Sequence, residues 1–207
     1  MIIDDVRRLN IEQINILHKK YMKRDFPANE LRPFSMIKRM LKKEQYVVYG
    51  AYSDNKLVGY CCFLLSGNSG IALLDYFAVQ EGMRGCGIGS KLFCSIAGLI
   101  KKEYKHTQVI LIECETPEKA KNNNERLIRE KRIRFYEKNG AYVTDYCWCA
   151  FNVEYNLLAL PVSENNFNNV DFGKEVYNMY LSCFGFLFRF PAKKKLKYWK
   201  NNKTMKL

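Results

Sequence analysis

Histidine is almost missing from this 207-residue chain, which holds His18 and His106 and no other. With so few imidazoles, a metal centre would have to be built from cysteine. The eight cysteines stand at 61, 62, 86, 94, 114, 147, 149 and 183, and no C-x-x-C spacing occurs among them. Cys147 and Cys149 would share one face of a strand, the one place where a metal pair is conceivable, and no metal is expected there. Most of the thiols sit inside apolar runs, as small buried side chains do, so a reducing, cytoplasmic setting is expected rather than a disulfide framework. Long apolar runs are also lacking. The richest, residues 176 to 190, is interrupted by Asn178 and Arg189, which argues against a membrane span. The first residues, MIIDDVRRLN, have no signal-peptide core.

Negative charge is scarce. Asp and Glu number 21 against 34 Lys and Arg, a formal net charge of +13. This favours anionic ligands and brings nucleic acid or an acidic membrane surface into view. Much of the excess lies in KKKLKYWKNNKTMKL, residues 193 to 207. Such a tail is expected to be solvated and mobile. The alternative is contact with RNA or acidic lipid through Tyr198 and Trp199.

What is present is ample apolar material, 48% of residues, enough for one sizeable core. Residues 1 to 10 form a candidate first strand, and spacing predicts helices over 11–21 and 34–43. QYVVYGAY and KLVGYCCFLL flank Ser53-Asp54-Asn55 and read as a hairpin. IALLDYFAV, residues 71 to 79, reads as a mostly buried strand, followed by a helix over 87–104 and the strand VILIECE at 109–115. Asn122, Asn123 and Asn124 look like a polar loop. A helix over 126–139 stops at Gly140, two β-prone segments fill 141–160, and a last helix is expected over 176–190. The fold class is therefore α/β (α+β), a mixed, mostly antiparallel sheet flanked by helices. No repeat occurs, and no linker precedes about residue 191. The expected organisation is a single domain over 1–190 and a basic tail over 191–207.

The stretch RGCGIGS, Arg84 to Ser90, lies where strand gives way to helix. The first amides of a helix have no partner inside it and point outward at the positive end of its dipole. Glycines clear the approach to those amides, and arginine adds a forked cation, so an anion such as a phosphate fits. A P-loop would need Gly-Lys-Ser/Thr, whereas Gly89 precedes Ser90 and Lys91. The dinucleotide spacing G-x-G-x-x-G also fails, with glycines at 85, 87 and 89. What is left is Arg-x-x-Gly-x-Gly at Arg84, Gly87 and Gly89. This resembles the acetyl-CoA signature of the GNAT N-acetyltransferase family. The element order over 1–160 resembles that family too, as does RFYEKNGA at 134–141, similar to its helix with an aromatic-tyrosine pair ending at a glycine.

The resemblance implies transfer of an acetyl group from acetyl-CoA to a primary amine by direct attack. The implied cofactor contacts are Arg84, Gly85, Cys86, Gly87, Ile88, Gly89 and Ser90 for the pyrophosphate. Phe77, Ala78 and Val79 would offer a strand edge to the pantetheine amides, with an amide near Val79 facing the thioester oxygen. A lysine-like amine has a pKa of roughly 10.4, so a base is useful. Candidates are Asp75, Glu113, Glu115 and Glu30. Glu113 and Glu115 project from one face of their strand, where they would need either a use or partners. Tyr136 is the implied acid for the leaving thiolate. Arg129 and Arg132 stand where many relatives have asparagine and a small residue, and are expected to meet CoA phosphates or solvent. Cys86 in the loop raises a covalent route, but no histidine lies near it in sequence. The partners implied are acetyl-CoA and an amine, small molecule or protein-borne, with no nucleic acid expected. Residues 161 to 207 either close the substrate site or offer a homodimer surface. The alternative function is a non-catalytic CoA-binding, or RNA- or membrane-docking, module using the tail.

Overall fold

A computed structural model describes residues 3–67, 69–163, 170–184 and 192–200. Its centre is an eight-stranded sheet built from β1 (Asp5–Arg8), β2 (Tyr46–Ser53), β3 (Lys56–Leu65), β4 (Ile71–Val79), β5 (Val109–Glu115), β6 (Tyr142–Ala150), β7 (Val153–Pro161) and β8 (Leu196–Lys200), in the order β1-β2-β3-β4-β5-β7-β6-β8. Every neighbouring pair is antiparallel except β4 and β5. The helices are α1 (Ile11–Leu17), α2 (Lys23–Asp25), α3 (Phe34–Lys42), α4 (Ile88–Glu103), α5 (Asn123–Lys138) and α6 (Phe172–Cys183). The class expected from the sequence is the class found.

Two cores result, one on each face of the sheet. Ile14, Leu17, Ile37, Met40, Val176 and Met179 cover one face above Val48, Leu73, Leu111 and Trp148. Ile88, Leu92, Phe93, Ile96 and Ile100 of α4 cover the other, above Val47, Phe63, Ala72 and Ile110. Alternate strand residues feed opposite cores, as the period of two requires. Two of the hairpins, β2–β3 and β6–β7, turn through left-handed pairs, Asp54-Asn55 (φ 48° and 58°) and Phe151-Asn152 (φ 50° and 71°).

Four boundaries differ from expectation. The first helix is α-helical only to Leu17 and continues as a π turn over His18–Met22. Asn122 is not loop but the cap of α5, its side chain accepting from the Glu125 amide at 2.9 Å, so the helix starts at Asn123. The last helix is Phe172–Cys183; residues 185–190, given to it by sequence, lie outside the described residues.

The fourth is the tail. Its segment Leu196–Lys200, exposed apart from Leu196, is ordered as β8, paired with β6 from Tyr146↔Lys200 to Ala150↔Leu196. Leu196 and Tyr198 alternate inward toward α6, a pattern masked in the sequence by the lysines between them. Tyr198 lies directly on Gly173. A Cβ added at Gly173 would come within 2.4, 2.9 and 3.0 Å of the tyrosine's Cδ2, Cγ and Cβ. Gly173→Leu should therefore unseat β8. Trypsin should cut at Lys193–Lys195 faster than in the parent, and the chain should lose about 1–3 kcal/mol of stability from overpacking.

Candidate active site

β4 and β5 run parallel for only four pairs, Ile71↔Val109 to Leu74↔Ile112. The cause is a bulge. On the β3 side Cys62 opposes Tyr76 but Phe63 opposes Leu74, which leaves Asp75 as the extra residue. Beyond it the strands part, with Phe77, Ala78 and Val79 on one lip and Glu113 and Glu115 on the other. Bonding direction alternates along a strand. The Gln80 amide donates to Val58 on β3 at 2.9 Å, so the amides of Val79 and Phe77 face the opposite way, into the gap. That edge can receive a peptide-like chain.

The gap opens at one end onto the glycine loop. Gly85 and Gly87 have φ of 80° and 78°, and Gly87 is the left-handed cap residue from which α4 starts. No side chain caps α4, so its first amides stay available. A Cβ at Gly82, Gly85 or Gly87 would meet nothing within 4 Å, so the loop surrounds open space. Gly89 differs: its absent Cβ faces Phe135 at 3.4 Å and Val79 at 3.7 Å, so it lets α4 approach α5. Arg84 is exposed, its Nε donating to the Val79 carbonyl at 3.3 Å. Cys86 is exposed, with its thiol 3.8 Å from the Arg84 carbonyl. Neither histidine serves it. His18 bonds the Arg32 carbonyl at 2.9 Å, and His106 lies beside Gly70, at the far end of β4. The loop thus presents free amides, a cation and unfilled space, which fits a diphosphate.

Tyr136 stands on the α4–α5 side of the gap. Its ring lies 5.1 Å from Phe135, 5.3 Å from Phe93 and 6.4 Å from Phe77. Burial pushes its phenol well above the usual range, with Cys114 adding to the effect. The phenol therefore stays neutral.

The opposite side carries the carboxylates. Glu113 accepts from Tyr180 at 2.8 Å on Oε2 and from the Trp148 indole on Oε1. Burial drives its pKa up to about 7; the two donors oppose that rise, and Asp75 assists it. Asp75 itself is committed. Arg32 grips both its oxygens at 2.9–3.0 Å, and Tyr46 donates at 2.5 Å. Glu30 is exposed at the rim, its carbonyl accepting from Tyr76 at 2.8 Å. Partial burial raises its pKa, and Glu115 raises it further.

Glu115 is neither free nor alone. Arg129 binds it at 2.8 Å and also binds Glu125 at 2.7 Å and the Thr116 carbonyl at 2.8 Å; Arg132 reaches it at 3.4 Å. The expectation that Arg129 meets phosphate or solvent is not met: it is buried, clamping α5 to the end of β5. Among the described residues no group of three or more His, Cys, Asp or Glu could hold a metal, and Cys147 points its thiol at Asn156.

The fold thus gathers Glu113, Asp75 and Glu30 on one side of the gap, and Tyr136, Phe77, Val79 and the loop on the other. Sequence reading missed Arg32, Tyr46, Trp148 and Tyr180. Each stands far along the chain from the carboxylate it touches, so no local signal marked it.

Residues 44–140 match the family model described as an acetyltransferase (GNAT) domain. A search of curated proteins gives no match. Among solved structures, a GNAT-family protein from Bacteroides thetaiotaomicron superposes with a TM-score of 0.62 at 15% identity, covering 89% of this chain and 98% of its own. The ribosomal-protein-S18-alanine N-acetyltransferase of Escherichia coli gives 0.57 at 15%, covering 81% and 99%. An aminoglycoside 6'-N-acetyltransferase complexed with coenzyme A gives 0.53 at 12%, covering 78% and 99%. No helix among the described residues is long and apolar enough to cross a membrane. Residues 44–140 therefore match a GNAT acetyltransferase domain, and the fold around them is the one seen in GNAT-family structures.

Proposed function

We propose that this protein is an N-acetyltransferase that moves an acetyl group from acetyl-CoA to a primary amine by direct attack. One observation carries the reading. The gap between β4 and β5 has an open glycine cradle at one end and a half-buried carboxylate, Glu113, on the face opposite Tyr136.

Acetyl-CoA supplies the activated thioester. The amides from Arg84 to Ser90 hold the diphosphate, and Arg84 adds charge. Phe77, Ala78 and Val79 present their free edge to the pantetheine amides, and the Val79 amide faces the carbonyl oxygen as it becomes negative. Glu113 takes the proton of the incoming ammonium. Its raised pKa of about 7 suits a base near neutrality, and each of its oxygens keeps a lone pair beyond the bond it accepts. Asp75 is held by Arg32 and shapes the site rather than moving protons. Glu30, at the rim, attracts a cationic acceptor. Tyr136 donates to the departing thiolate.

The docking-module alternative relied on a free basic tail, and Leu196–Lys200 is instead part of the sheet. The test is thiol release from acetyl-CoA over a panel of amines, with calorimetry for coenzyme uptake. Tyr136→Phe should bind the coenzyme as the parent does and turn over about 10²-fold or more slowly. Equal thiol release by the two proteins would remove Tyr136 from the mechanism.

A further inference from the structure

We infer that Tyr180, on a helix beyond the matched segment, is a positioning residue for the acetyl-transfer site, its hydroxyl holding the Glu113 carboxylate in the proton-accepting form and its ring seating the Arg32–Asp75 pair. This rests on the reading of Glu113 as the base.

Three contacts carry it. The Tyr180 hydroxyl donates to Glu113 Oε2 at 2.8 Å. The Arg32 guanidinium lies 4.9 Å from the centre of the Tyr180 ring. Trp148 packs edge-on to the same ring at 4.5 Å while its indole N–H binds the other Glu113 oxygen. Tyr180 is therefore the link between two of the site's carboxylates, Glu113 and Asp75. It reaches them because α6 turns Val176, Met179, Tyr180 and Cys183 toward the sheet, and because Arg39 ties the end of α6 to α3 by donating to the Cys183 carbonyl.

The physical consequence is directional. A hydrogen bond to an ionised carboxylate favours the ionised form. The other groups facing Glu113 are Asp75 from β4, Arg32 from the α2–α3 connection, Trp148 from β6 and Tyr155 from β7. Of these, Trp148 also donates directly and Arg32 attracts, while Asp75 repels. Without the Tyr180 hydroxyl, burial and repulsion gain weight and Glu113 protonates more readily.

Tyr180→Phe keeps the ring against Trp148 and Arg32 and removes only the donor. The midpoint of Glu113 is read by carbon NMR on glutamate-labelled protein, its resonance assigned by loss in Glu113→Gln. The expected result is an upward shift of about one pH unit. In amine-dependent thiol release the acidic limb should move by the same amount. The rate should then fall about tenfold well below the midpoint and rejoin the parent at high pH. Coenzyme affinity and the melting profile report folding. A well-folded Tyr180→Phe whose Glu113 midpoint does not move overturns the inference, whatever the activity. A Glu113→Gln variant with parental rate and limb overturns instead the reading of the base. The two failures are distinct.

Discussion

Glu113→Gln should reduce amine-dependent thiol release by about 10²–10⁴-fold, the range expected when a positioned base is removed. The parent rate should climb as pH rises through about 7, because Glu113 accepts a proton only when ionised and burial has moved its midpoint there. The glutamine variant should lose that limb. The substitution is gentle on the fold. A glutamine can turn its carbonyl to the Trp148 indole and its amide to the Tyr180 hydroxyl, which accepts as readily as it donates. Coenzyme uptake should be parental, since Glu113 lies across the sheet from the glycine cradle. Stopped-flow thiol detection between pH 5.5 and 9, beside calorimetry, checks both halves.

Gly87→Val should abolish coenzyme binding at the concentrations where the parent saturates, a loss on the order of 100-fold or more. Two causes act together. Gly87 holds φ at 78°, a conformation a β-branched residue resists. The new side chain also enters the open volume before the first turn of α4, where no atom lies within 4 Å of a Cβ. One or two charge-assisted hydrogen bonds to a phosphate, at about 1.5–3 kcal/mol each, account for a loss of that size. Gly98 supplies the contrast. It too meets nothing within 4 Å, but it sits inside α4 without a positive φ. Gly98→Ala should leave binding intact and stabilise the helix by about 0.5–1 kcal/mol. Isothermal calorimetry on the three proteins separates the cradle from glycine content.

Much of this site was legible because its signals are local. IALLDYFAV and VILIECE have the bounds of β4 and β5 as read. The Arg-x-x-Gly-x-Gly stretch sits at the start of a helix as expected, because positive φ and uncapped amides are properties of a few consecutive residues. The bulge at Asp75 was not legible. A one-residue excess is defined against β3, and IALLDYFAV reads the same with or without it. Asp75 was therefore grouped with the bases, although Arg32, 43 residues earlier in the chain, holds it as an ion pair. Arg129 failed for a like reason. Its neighbours on α5 suggest an exposed cationic face, and only β5 brings the Glu115 that buries it. The strand in the tail was hidden by charge, since K-L-K-Y-W-K alternates but its lysines dominate composition.

The four-pair junction between β4 and β5 has a mechanical meaning. It divides the molecule into two leaves, β1–β4 and β5–β8, each knitted by antiparallel ladders and sewn to the other along a short spine. A guest lying in the open part of that seam touches both leaves at once. It would act as a second row of stitching, so occupancy and the rigidity of the whole sheet should rise together.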